Sequence, residues 1–455
     1  MNKLFLLLLI LLSFGISNAQ QDLSPEWISL TKGKNLKGWE QKGGKAEYRQ
    51  QGDTIIGRTV ANTTNSFLCT KDIFSDFILE FDVRYKDTNN LFNSGVQIRS
   101  NSFPGYQKGR VHGYQVEIDP SDRAWSGGIY DEGRRGWLNN LLHDIRARNA
   151  IKLDDWNHFR VEAIGSSIRT WVNGVPCANL VDDMTAAGFI GLQVHAVYKP
   201  EDVGKEIMWR NIRIITKDPE KFRSETTARE ICTIPNHLSK DDVKDGWQLL
   251  FDGKTTNGWR GAHKETFPGK GWHIENGELV VEAAGGAESG NGGDIVTVEE
   301  YESFELLIDF KITKGANSGI KYFVTEKYHP EGSAIGLEYQ ILDDKNHPDA
   351  KLGVKGNRTV ASLYDLIPAK ADKKFYPDNW NHARLVVNGN HVEHWLNGEK
   401  VVEYERNNQM FNALVAYSKY KDYEGFGNWK KGRILLQDHG DEVHFRNIKI
   451  RRIVE

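Results

Sequence analysis

Residues 379–398 read NWNHARLVVNGNHVEHWLNG, and residues 155–174 read DWNHFRVEAIGSSIRTWVNG. In both, a strand-length run leads straight into Asn-Gly (Ile168 to Val172, then Asn173-Gly174; His391 to Leu396, then Asn397-Gly398). That pair tolerates the positive φ of a two-residue hairpin turn, so each stretch predicts an antiparallel hairpin. The register between the two extends beyond this phrase. Asn93-Ser94-Gly95 recurs as Asn317-Ser318-Gly319 and Trp156-Asn157-His158 as Trp380-Asn381-His382, each displaced by 224 residues, as in 380 − 156. Leu36-Lys37-Gly38-Trp39 is answered by Thr256-Asn257-Gly258-Trp259, and Trp209-Arg210-Asn211-Ile212 by Phe445-Arg446-Asn447-Ile448. A period this long exceeds that of solenoids or propeller blades and marks a duplicated domain.

Bulk properties agree. A chain of 455 residues is comfortable for two domains. A charged fraction of 27% and a net charge of −3 provide no field for nucleic acid or anionic lipid. Thirteen Trp, sixteen Tyr and forty-four Gly against four Met favour aromatic-rich strands joined by glycine turns. Period-two apolar runs, such as Phe77 to Val83 and Phe304 to Phe310, make each copy an all-β, two-sheet antiparallel sandwich. Gly136 to Ala150 is the exception, read as a short helix or ordered loop of the first copy alone.

The boundaries follow. Lys3, the apolar Leu4 to Leu12 and the small residues before Gln20 read as a signal peptide over 1–19, cut after Ala19. No lipobox cysteine follows and no later run is long enough to span a bilayer, so a periplasmic or extracellular location is expected. The first sandwich is assigned to 22–216, a charged linker with Pro219 and Pro235 to 217–246, and the second sandwich to 247–455. Cys69, Cys177 and Cys232 form no metal pattern. An oxidising compartment permits a Cys69–Cys177 bridge, but small buried thiols are the simpler reading.

Alternation also sorts side chains by face. Leu337, Tyr339 and Ile341 point inward, which puts Glu338 and Gln340 together on the other face; in the first copy Gln115 and Glu117 hold those places with acid and amide exchanged. Gln437 and His439 share a face, as do Gln193 and His195, while Lys321 corresponds to Gln97, with Arg99 two residues further on. Taken singly, each of these polar residues is explained by an exposed sheet position. Taken together, a carboxylate, an imidazole, amides and a cation are the groups needed to bind and deprotonate a sugar. The histidines of Trp-Asn-His and the Asn-Gly turns are read as scaffold.

With Asn317-Ser318-Gly319-Ile320, Gly336 to Asp343, Ser362-Leu363-Tyr364-Asp365, Trp395 to Gly398, and Leu436 to Gly440 followed by Phe445 to Ile448, the chain resembles the 3-keto-disaccharide hydrolase family. The resemblance covers two tandem copies, and the second matches more closely. It implies a concanavalin A-like jelly roll and cleavage of an oxidised, 3-keto glycoside or oligosaccharide. The C3 ketone acidifies C2–H, a base removes that proton, and O1 departs by elimination, followed by water. On the matching motif positions His439 is the expected base, Glu338 its orienter or the acid, and Asp365 a second acid. Lys321 and Gln340 would hold the enolate oxygen or hydroxyls, with Asn317, Tyr364, Gln437 and Arg358 binding substrate. The first-domain counterparts are His195, Gln115, Glu117, Asp131 and Arg99. A retaining glucanase would carry Glu-x-Asp-x-x-Glu, and Glu80-Phe81-Asp82-Val83-Arg84-Tyr85 lacks the last acid. A divalent metal, calcium or similar, would suit an enolate, but no dense ligand motif marks a site; the oxygen-rich Asp343 to Asp349 reads as a turn. The alternative is a non-catalytic, lectin-like tandem sandwich.

Overall fold

The computed structural model describes residues 24–33, 35–328 and 333–454; the expected signal peptide lies outside them. Each copy folds as two sheets over one core; among the described residues the first has sheets of nine strands, one of them supplied by the segment that follows it, and seven, and the second has sheets of eight and five. The quoted phrases form the predicted hairpins: Asn157–Ile164 pairs with Ser167–Val172, and Asn381–Asn388 with His391–Leu396. Asn173 and Asn397 both adopt φ of 50°, as the turn requires.

The Trp-Asn-His phrase is scaffold in both copies. Asn157 and Asn381 each accept a hydrogen bond from one loop backbone N–H and donate to two loop carbonyls, which ties the strand start to the preceding loop. His158 and His382 pair through Nδ1 with Asp82 and Asp309 on the neighbouring strand, at 3.0 and 2.5 Å. Trp156 and Trp380 each lie 3.9 Å beneath an arginine, Arg210 and Arg446. Asp82 and Glu80, the remnant of the glucanase-like string, are engaged by His158, Arg210 and Arg160 on the same outer face.

Three differences from the sequence reading bear on function. The polar faces of the smaller sheets are covered by loops, so Gln97, Gln115, Glu117, Lys321, Glu338 and Gln340 are buried, whereas alternation alone predicts exposed sheet positions. Gly136 to Ala150 holds both a strand, Gly136–Asn139, and a single helical turn, Ile145–Arg148, but the longer helix is in the second copy, Gln409–Ala416, capped by Asn408 accepting from Phe411 N at 2.7 Å. The segment 217–246 is built structure. Its strand Glu230–Cys232 runs parallel to Val175–Val181 of the first sandwich, and further on Asn236 and Asn447 exchange two hydrogen bonds, 2.7 and 2.8 Å, with the second. All three cysteines are free, Cys69 and Cys177 buried in separate apolar clusters.

Candidate active site

The site is built on two paired strands of the second copy, Asn317–Thr325 and Ile335–Leu342, where Lys321 stands directly opposite Glu338. Alternation puts Leu337 and Tyr339 into the core and turns Glu338 the other way. The Asn-Ser-Gly motif makes room for it. A Cβ at Gly319 would lie 2.7 Å from Glu338 Oε1, so only glycine lets the carboxylate cross the neighbouring strand. Ser318 donates its hydroxyl to the backbone carbonyl of Gln437 at 2.8 Å and locks the adjacent strand end alongside.

Above these strands lies a cavity of about 330 Å³. Lys321, Glu338 and Gln437 line it from below, and Glu288, Lys419 and Tyr420 from the covering loops. Lys321 and Glu338 are 7% and 6% exposed, so both charges sit where water is scarce. Burial raises the Glu338 carboxyl above its ordinary pKa, opposed by the positive fields of Lys321, Lys419 and His439. Lys321 lies 3.7 Å from Asp294, and although burial works against its charge, the surrounding acids hold its pKa above the usual lysine value. Asp294 is itself pushed up by burial to about 7; one oxygen accepts from Asp438 N at 2.9 Å, the other is buried without a hydrogen-bond partner. Lys419 behaves in the opposite sense to Lys321. Although the residue keeps solvent exposure, its ammonium lies 4.2 Å from the centre of the Tyr364 ring, and the protein packed around it lowers its pKa.

The covering loops are anchored by residues that the motifs contain. Asp438 is fully buried and accepts from Gly292 N and Gly293 N, which pins the glycine-rich loop carrying Glu288. Gly440 is required there because a Cβ would meet Ala287 N at 2.4 Å. On the other side Phe411 stacks on Tyr404 and Tyr420 on Phe426, seating the segment that delivers Lys419.

Several expected residues have other positions. Asp365 does not line the cavity. Arg358 donates to it at 2.8 Å and it accepts from the Lys419 backbone, so it positions Lys419 and is no free acid. Arg358 and Tyr364 converge on Asp349 as a support for that segment. His439 is half-buried beside the site, its ring perpendicular to that of His347 at 6.2 Å, and acts on Glu338 through its field. Asn317 and Gln340 are buried beneath the site without lining it, and Gln437 lines it with its side-chain amide oxygen, Oε1, unpartnered. Lys419, Glu288 and Asp294 escaped the sequence reading because they lie outside the alternating strands that ordered the rest; only the register of covering loops could have singled them out.

The first copy keeps the frame without this pair. Gln97 stands opposite Gln115 and donates to it at 2.6 Å, Gln115 donates to Glu117, and Asn93 and Arg123 close the network on Glu117. Asp131 is fully buried between Arg134 and Arg135. Arg99, 1% exposed, is a structural strut bonded to Ser75 O, Gly165 O and Asp76. Among the described residues His391, Glu393 and Glu403 form a group spaced for a metal, but Lys400 already lies 3.1 Å from Glu393 and 2.8 Å from Glu403. In the Asp343 to Asp349 turn, Asp343 spends its oxygens on Gly315, Lys345 and Asn346.

The chain is thus a duplicated sandwich with a sheltered, charged cavity over the smaller sheet of its second copy. The family model described as 3-keto-alpha-glucoside-1,2-lyase-like domain matches residues 26–215 and again 246–451, and the chain belongs to this family. A 3-keto-disaccharide hydrolase of Bacteroides thetaiotaomicron is 40% identical over 228 residues, 46% of this chain and 78% of that protein. Among solved structures, a proposed glycosyl hydrolase from Parabacteroides distasonis is 30% identical, covering 48% of this chain and 100% of its own, with a TM-score of 0.43. A carbohydrate-binding module, CBM66, from Bacillus subtilis is 18% identical over 39% of this chain and 95% of its own, with a TM-score of 0.30.

Proposed function

We propose that the second sandwich cleaves 3-keto-glycosides by elimination across C1–C2, with Glu338 as the base. The observation that carries this reading is one buried carboxylate of raised proton affinity sharing a cavity with two lysines whose pKa values are pushed apart. Divergent neighbours are how a single site provides both a permanent charge and a transferable proton. Glu338 takes the proton from C2, and the electron pair moves onto the C3 oxygen. Lys321, which stays an ammonium, stabilises that enolate. The enolate re-forms the ketone as the C1–O1 bond breaks, and Lys419, the more acidic lysine, protonates departing O1. Water then adds across the C1–C2 double bond of the enone: its oxygen bonds to C1 as Lys419 takes its proton, and Glu338 returns its proton to C2, restoring both groups. Gln437, with its side-chain amide oxygen unpartnered, is suited to accept from a sugar hydroxyl. The export reading of residues 1–19 would bring this activity to the periplasm or the medium.

The test compares methyl and p-nitrophenyl 3-keto-glucosides with the parent glucosides. Only the keto forms should be cleaved, with a primary isotope effect on C2 deuteration, and Glu338→Gln should lose roughly 10²–10⁴-fold in rate. Lys419→Met should lose far more on the methyl than on the p-nitrophenyl substrate, whose leaving group needs no proton. Cleavage of the unoxidised glucosides at equal rate, or binding of keto forms without turnover, rejects the mechanism.

A further inference from the structure

We propose that the first sandwich is a binding module for an uncharged glycan, occupying a cavity of about 650 Å³ centred on Arg110, Glu132 and His195. This extends the carbohydrate reading of the chain but does not depend on the second sandwich being catalytic. The cavity is about twice the volume of the one over Lys321, within the range that holds small ligands. Yet the positions of Lys321 and Glu338 are taken here by Gln97 and Gln115, which spend their amides on each other and on Glu117. The base and cation of the other copy are replaced by a closed neutral pair and a carboxylate already bound by Arg123.

What lines the larger cavity is an inventory for hydroxyl groups. Arg110 lies 3.0 Å from Glu132, a planar donor beside a planar acceptor, half-neutralised by each other. His195 Nδ1 is 2.8 Å from the Ala196 carbonyl; a carbonyl only accepts, so Nδ1 donates to it and Nε2 is the ring nitrogen left to face a ligand. Asn65 spends its Oδ1 on Ala196 N, which leaves its amide group as donor. Tyr198, 74% exposed, supplies a ring face at the rim, and Phe67 is buried at the floor. Alternating donors and acceptors with one aromatic face match a pyranose, whose hydroxyls are both donor and acceptor and whose C–H face is apolar. Lys108 adds one positive charge to the lining, which makes an acidic sugar the rival ligand.

Calorimetric titration of the full chain carrying Glu338→Gln, with cellotriose, maltotriose, laminaritriose and glucuronate, tests this. At least one neutral trisaccharide should bind, and adding Arg110→Ala or Tyr198→Ala should weaken that binding tenfold or more. Either change, in a chain with Glu338 intact, should leave turnover of methyl 3-keto-glucoside unchanged. Binding untouched by both changes, or binding of glucuronate alone, overturns the proposal. If no keto-glucoside is cleaved but the Arg110-dependent binding persists, the elimination reading fails and this one stands.

Discussion

Gly319 shows how much one missing methyl group can position. Its backbone is ordinary extended strand, so alanine would introduce no torsional strain, but the new Cβ would sit within 2.7 Å of Glu338 Oε1 and 3.0 Å of its carboxyl carbon. The flexible end of a glutamate can yield. Gly319→Ala should therefore keep the fold, with little change in Tm, while displacing the carboxylate and lowering kcat at least tenfold on a 3-keto-glucoside. Gly95→Ala, whose Cβ would press on Gln115 in the first copy, should leave that kcat unchanged. A second residue-level comparison concerns Arg99. Its counterpart at the same offset is Phe323, both with positive φ, 46° and 50°, at a strand irregularity. In the second copy the guanidinium comes from Arg406, which lies 3.7 Å from the Phe323 ring and donates to Gly389 O, as Arg99 donates to Gly165 O. The same turn is braced from two different places in the chain. Alternation identified the faces of Glu338, Gln340, Gln115 and Glu117 correctly, but it could not distinguish a strut such as Arg99 from a ligand-facing cation, because both are polar residues on a strand.

The covering segments carry what strand reading could not. Helix Gln409–Ala416 and the turns after it bring Lys419 and Tyr420 over the cavity, and the glycine-rich loop pinned by Asp438 brings Glu288. Neither has the period-two signature, and the helix is too short for its own period to stand out among polar residues. The loops are also why the sheet face proved buried: exposure is decided by what lies above a strand, which is distant in sequence. Removing the cap by Asn408→Ala should cost about 1 kcal/mol of stability. Because the helix leads directly into the Lys419 segment, the same change should raise KM for methyl 3-keto-glucoside, and the increase should be absent in a Lys419→Met background. Asp365→Asn should act alike, loosening Arg358 and the Lys419 backbone without removing a group from the cavity.

Across the whole molecule, two buried groups of the second sandwich make opposite contributions to stability as pH changes. His394 is buried, donates through Nδ1 to Ala361 O and accepts from Tyr322, and burial lowers its pKa to about 4. The unfolded chain takes up a proton there near pH 6.5 while the folded one does not, so this contribution is lost as pH falls from about 6.5 to about 4. Asp294, raised to about 7, does the reverse: the folded protein holds a proton that the unfolded chain releases, so its contribution falls as pH rises from about 4 to about 7. The two slopes offset one another. His394→Gln should make Tm rise towards pH 4 relative to the parent chain, and Asp294→Asn should make it fall, as thermal melts between pH 4 and 8 will record. At this scale the duplication was legible from the 224-residue register, whereas the ordered segment 217–246 was not, since charge and proline describe a tether and a clasp equally well. The clasp has a consequence of its own. Through the strand Glu230–Cys232 on one side and the reciprocal Asn236–Asn447 bonds on the other, the segment between the sandwiches is bonded to both. A ligand long enough to reach both cavities gains effective concentration at the second, one that is too short gains none, and lengthening the clasp with flexible residues should erase that discrimination by length.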